Sequence, residues 1–130
     1  MVRQPSVPAQ PPSPEALCYQ QLSGSSGRLS IEQLRLERRG ERLAGSYSWI
    51  PWQKDRRLGQ LEGEEHPAGT GRLTYRFQQE GQSAQAPLTI VFDAFQARIR
   101  WDPTDPPGQP MPSVRLPHAA CAELMPIPKL

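Results

Sequence analysis

"LSIEQLRLERRGERLAGSYSWI", residues 29 to 50, carries the decision between helix and sheet. Read as a helix, Ser30 and Gln33 make a capping-box pair, and Ile31 and Leu34 share helical spacing. Read as strands, Leu34, Leu36 and Arg38 alternate with charged residues, and beyond "RGE" Leu43, Gly45, Tyr47 and Trp49 alternate again. Alternation on both sides of Gly40 favours a β-hairpin with Gly40 at its tip. Ile31 and Leu34 are then out of phase, which predicts a bulge or a strand start between them.

The same period continues outward. Upstream, "ALCYQQLS" (16–23) reads as a first strand and "GSSG" (24–27) as a turn or loose loop. Downstream, "RLGQLEGE" (57–64) is a short strand before a turn at "EHPAGTG". "RLTYRFQQ" (72–79) sets Leu73, Tyr75 and Phe77 on one face. "EGQSAQAP" reads as a loop. "LTIVFD" and "FQARIRW" form the clearest hairpin, turning near Asp93 and Ala94, with Phe95, Ala97, Ile99 and Trp101 expected on its inner face. "DPTDPPGQPMP" is a loop, and "PHAACAEL" is a short terminal segment of either type. Seven to eight short strands joined by turns make an all-β antiparallel meander. Closure into a small calycin-like barrel would protect its edges.

Proline marks the limits of this pattern. Five of the sixteen prolines fall in residues 5–14 and eight in 103–128. The expected organisation is a disordered segment over 1–14, a β domain over 15–102, and a proline-rich segment over 103–130 packed back on the domain. Fifteen basic against thirteen acidic residues are too balanced for a dedicated nucleic-acid binder. No apolar run reaches the roughly 18 residues of a membrane span. The first ten residues lack the apolar core of a signal peptide. "MVRQPSVPAQPPSP" reads either as a linker left after an export signal or as a natural disordered terminus.

The middle of the chain resembles a family of small, uncharacterised bacterial exported proteins, often lipoproteins. The residues that carry the resemblance are Cys18 and Tyr19, Gly45 and Tyr47, Lys54 and Asp55, Gly59 and Gly63, Tyr75 and Phe77, and Glu80 and Gly81. They span residues 18 to about 92. Two departures stand out: Gln53 occupies the place of a Glu before Lys-Asp, and "SPEALC" lacks the apolar helix and small residues of a lipidation site. The resemblance implies an exported β-rich domain, periplasmic or secreted, and no activity.

Cys18 and Cys121 are the only cysteines. In an exported chain they read as a disulfide, and in a cytosolic one as two free thiols; the proline-rich flanks favour the disulfide. Lys54, Asp55, Arg56 and Arg57 form a charge run that is either a recognition loop or a solvated turn, with Asp55 accepting backbone N–H bonds and Lys54 pairing with a carboxylate such as Glu80. Trp49 shares the inward phase of Tyr47, whereas Trp52 follows the strand-breaking Pro51 and is the candidate for surface contact. Trp52, Lys54, Asp55 and Arg56 are therefore the candidate contact residues.

His66 and His118 have no metal-ligand spacing, no cofactor or catalytic motif occurs, and Glu64, Glu65 and Glu80 offer at most an accidental carboxylate pair. The expected function is a non-enzymatic exported binding module, monomeric or weakly dimeric. It would hold a small apolar ligand in the barrel mouth or a partner protein on a loop. One specific form is an inhibitor of a cell-wall hydrolase. An envelope structural protein and a small hydrolase are the alternatives. An interior filled by Tyr47, Trp49, Phe77 and Phe92 would favour surface recognition or a structural role, and an empty one ligand binding.

Overall fold

A computed structural model describes residues 15–25, 27–53, 55–102 and 113–127. The hairpin reading of residues 29–50 is correct. The strands are β1 (Glu15–Ser25), β2 (Arg28–Arg39), β3 (Arg42–Ile50), β4 (Arg57–Glu65), β5 (Thr70–Gln79), β6 (Gln82–Phe92), β7 (Gln96–Trp101) and β8 (Val114–Pro117). They form one antiparallel sheet in sequence order, an all-β meander curled into a nearly closed barrel. A bridge between Tyr19 and His118, and a bond from Ala119 N–H to the Cys18 carbonyl (2.9 Å), bring the last strand against the first.

Alternation separates inside from outside. Leu34 and Leu36, Leu43 and Tyr47, Leu61, Leu73 and Tyr75, Leu88, Ile90 and Phe92, Ala97 and Ile99, and Leu116 are all buried in one cluster with Tyr19. Each buried Leu, Ile or Phe side chain in it contributes about 1.5–3 kcal/mol on leaving water. Small residues face large ones across the strands: Ala84 opposes Phe77, and Ala86 opposes Tyr75. With Tyr47, Tyr75 and Phe92 buried and Phe77 half-buried, side chains occupy the middle of the barrel.

The tight curl depends on Gly59 and Gly63. Gly59 lies between Tyr47 and Phe77, and Gly63 between Leu43 and Leu73. A Cβ at Gly59 would run into the carbonyl oxygen of Arg76, and one at Gly63 into that of Arg72. The β5 backbone can fold over β4 only because these two positions carry no side chain.

Several local expectations are corrected. β1 and β2 pair without interruption from Glu15–Arg38 to Ser25–Arg28, so no bulge separates Ile31 from Leu34. Ile31 lies on the outer face, opposite Leu22 and Ile50. "EGQSAQAP" is not a loop: Glu80 (φ 54°) and Gly81 (φ 73°) make a two-residue turn and β6 starts at Gln82. Phe95 does not point inward. The Asp93 carboxylate accepts the N–H of Phe95 (2.7 Å) and of Gln96 (2.9 Å), which lengthens the turn and delays β7 to Gln96. Val114–Pro117, inside the segment expected only to pack back, supplies the strand beside β7.

The C-terminal segment is fastened to the outer face of β1 and β2. Cys18 points outward there and is bonded to Cys121, 103 positions away. Further along, Gln33 Nε2 donates to Gln20 Oε1 (2.7 Å) and to the Met125 carbonyl (2.6 Å), and Met125 N–H donates to Gln20 Oε1 (2.8 Å).

Two measurements follow from these constraints. Gly63→Ala should lower the unfolding free energy by about 2–4 kcal/mol in urea titration, since neither backbone can move aside cheaply. Replacing both cysteines with Ser should cost about 2–5 kcal/mol, and unfolded, unreduced wild type should titrate with no free thiol.

Candidate functional site

An up-and-down meander sends alternate connections to opposite ends of the barrel. The β1–β2, β3–β4, β5–β6 and β7–β8 connections share one end. The β3–β4 connection there holds Trp52, Asp55 and Arg56, all exposed. Lys54 lies outside the described residues. Pro51 is buried and ends β3, which turns Trp52 out of the strand. The Trp52 N–H donates to Ser30 Oγ (3.0 Å), and the Arg28 guanidinium sits 5.3 Å from the indole centroid. The residue is 39% exposed, with the indole backed by a cation.

Arg57, read from the sequence as the last member of a solvated charge run, is inside the barrel and only 6% exposed. Its guanidinium is 5.3 Å from the Trp49 ring, 5.6 Å from Phe77 and 5.0 Å from Trp101. Its Nε donates to Gln79 Oε1 at 3.2 Å. The signal for this was present in the sequence: Arg57 shares the phase of Gly59 and Leu61, both inward. Three aromatic faces can hold a cation that has left most of its water, and Arg stacks on such faces better than Lys.

Below this cage the Tyr47 hydroxyl donates to Glu32 Oε2, and the Tyr75 hydroxyl donates to the Tyr47 carbonyl (2.6 Å). Burial raises the Glu32 carboxyl above its usual range, against the hydrogen bond from Tyr47 and the charge of Arg57. Burial, followed by the charge of Glu32, raises the Tyr47 hydroxyl. Among the described residues every buried side-chain nitrogen or oxygen has a hydrogen-bond partner. The cluster is thus a satisfied plug rather than an open pocket. A shallow depression lined by Trp49, Gln53, Asp55 and Gln79 lies over it.

Asp55 comes together with Glu80, which was expected to meet Lys54. Hydrogen bonding with Asp55 and its negative charge raise the Glu80 carboxyl. Both groups are exposed on turns, so this pair of carboxylates lies on a rim and not in a cleft. Glu64 and Glu65 end β4 at the opposite end of the barrel and do not join Glu80.

At that opposite end Glu65 is 7% exposed and takes a bidentate contact from Arg38, Nε to Oε1 at 2.7 Å and Nη2 to Oε2 at 2.9 Å. Burial opposes its ionisation, but the Arg38 hydrogen bonds, the Gly69 N–H (2.8 Å) and the Arg38 charge outweigh it. They hold the carboxyl below its usual range. Among the described residues no three His, Cys, Asp or Glu side chains cluster as a metal site would require, and no helix is long and apolar enough to cross a membrane.

Arg57→Gln should remove the cation from its cage and cost about 2–4 kcal/mol in urea denaturation. Tryptophan emission should shift to longer wavelength as water reaches Trp49 and Trp101. Unchanged emission and stability would mean the cage contributes nothing.

Comparison with protein-family models, curated proteins and solved structures finds no match, so no relative lends this chain a function.

Proposed function

We propose that this chain is a non-enzymatic exported binding module that engages a partner protein through the connections at the Trp52 end of the barrel. The observation that carries the reading is the contrast between a filled interior and a presented indole. Tyr47, Tyr75 and the caged Arg57 occupy the space in which a small apolar ligand would sit. Trp52 stands outside it, its backbone held by Ser30 and its ring backed by Arg28. Large aromatic side chains fixed in one orientation lose little entropy on binding and recur as interface anchors.

Asp55 and Arg56 flank Trp52 with both signs of charge, which suits a polar rim around such an anchor. The exposed Asp55–Glu80 pair lacks the enclosed cleft that sets apart an acid and a base, and so supports recognition over hydrolysis. The disulfide and the meander topology are compatible with an exported, calycin-like domain of the bacterial family that the sequence resembles. Presentation of the Trp52 connection to the cleft of a cell-wall hydrolase is the specific form of this reading.

Immobilised wild type and a Trp52→Ala, Lys54→Ala variant, matched in thermal stability, should capture different proteins from envelope extract. At least one partner should be lost by the variant. Identical capture would remove this surface from recognition and favour the envelope structural alternative.

A further inference from the structure

The outer wall formed by β6, β7 and β8 carries three exposed arginines, Arg98, Arg100 and Arg115. Elsewhere two outward arginines are paired, Arg35 at 3.5 Å from Glu37 and Arg42 at 3.5 Å from Glu62, while Arg72 and Arg76 of β5 make no ion pair among the described residues but stand across from Glu64 and Gln60. On this wall Arg98 of β7 stands directly across from Arg115 of β8, both exposed. No carboxylate among the described residues lies within ion-pair distance of either. Like charges facing each other across two strands weaken a sheet, so this arrangement gains nothing from folding. Arg100, on the same face, contacts Asp102 at 3.7 Å, and Asp102 is also held by Thr89 (2.9 Å).

Apolar groups are exposed beside these cations. Val91 opposes Arg98 on the same face and is 53% exposed. Phe95, in the β6–β7 turn, is 81% exposed, the most exposed large apolar side chain described. Its turn is rigid. Asp93, the acidic group nearest to Phe95 in sequence, has its Oδ1 committed to the N–H groups of Phe95 and Gln96, and the Phe95 carbonyl accepts the N–H of His118 (2.8 Å). The turn therefore holds a phenyl ring out in water beside Arg98 and Arg115, which have no carboxylate partner among the described residues.

We infer that this wall is a docking surface for an anionic lipid bilayer. Arg98, Arg115 and Arg100 would meet lipid phosphates, and Phe95, with Val91 behind it, would enter the interface between headgroups and acyl chains. The combination is what favours lipid over a soluble anion. Guanidinium groups alone serve any phosphate, but a lone aromatic ring on a turn tip has no use for one and does have a use for the apolar layer beneath headgroups. The surface lies on the wall and at the end of the barrel opposite Trp52, so docking would leave the Trp52 connection facing away from the membrane.

Co-sedimentation with phosphatidylglycerol–phosphatidylcholine vesicles tests this. Wild type should bind these vesicles at low ionic strength, release with added salt, and ignore pure phosphatidylcholine. Arg98→Gln, Arg115→Gln together should weaken binding on the order of tenfold or more. Phe95→Ser should weaken it separately, while Trp52→Ala should leave it intact. All these positions are exposed, and melting temperatures should stay at or above wild type for the arginine pair, since repulsion is relieved. Absence of binding to anionic vesicles, equal binding by the variants, or full displacement by soluble glycerol phosphate would each overturn the inference. Loss of protein capture by the Trp52 variant with vesicle binding retained would separate the two surfaces.

Discussion

The structure rests on the close approach of β5 to β4. The carbonyl oxygens of Arg72 and Arg76 occupy the space where side chains of Gly63 and Gly59 would begin. This contact sets the curvature of the sheet. Without it a meander of this length would stay open, with two free edges and one apolar face in water. With it, β1 and β8 meet near Tyr19 and His118, and the disulfide from Cys18 fixes Cys121 on the outer wall. The alternation of large and absent side chains along β4, with glycines on either side of Leu61, lets the inward faces of β3 and β5 pack onto each other across it.

A barrel this narrow leaves little room inside, and charge takes some of it. Arg57 is held by three aromatic rings at one end, and Arg38 with Glu65 by bidentate hydrogen bonds at the other. Removing a charge from water costs several kcal/mol, so each is tolerated only because its surroundings replace the lost hydration. Arg57 does so with ring faces and Gln79, and Glu65 with Arg38 and the Gly69 N–H. Both ends of the barrel are consequently stoppered by polar groups that are already satisfied. The exposed large apolar side chains accordingly lie outside, on the turns and the outer wall, Trp52, Phe95 and Val91 among them.

Much of this architecture is written as period-two alternation. Leu34 and Leu36, Leu73 and Tyr75, and Ile90 and Phe92 declare an inward face without reference to the rest of the chain, and they lie on it. Three features were hidden. The start of β6 carries alanines in the inward phase and Ser and Gln in the outward one, so its alternation has almost no hydrophobic contrast, although Ala84 and Ala86 stand opposite Phe77 and Tyr75. Arg57 keeps the inward phase, but its charge, beside Asp55 and Arg56, suggested solvent. Phe95 keeps the phase of Ala97, but the Asp93 side chain captures two backbone N–H groups and moves the residue into the turn.

The sequence by itself determined the all-β class, the hairpin at Gly40, the inward faces of the strongly alternating strands and the placing of Trp52 outside the strand after Pro51. These follow from local rules: side chains alternate along a strand, and proline cannot continue one. Only the tertiary structure decided that Arg57 is caged, that Asp55 lies beside Glu80, and that Arg98 faces Arg115. Each of these depends on which strands become neighbours and in what register, and that is set by curvature and closure of the whole sheet. No residue reports its cross-strand neighbour from its own position in the chain.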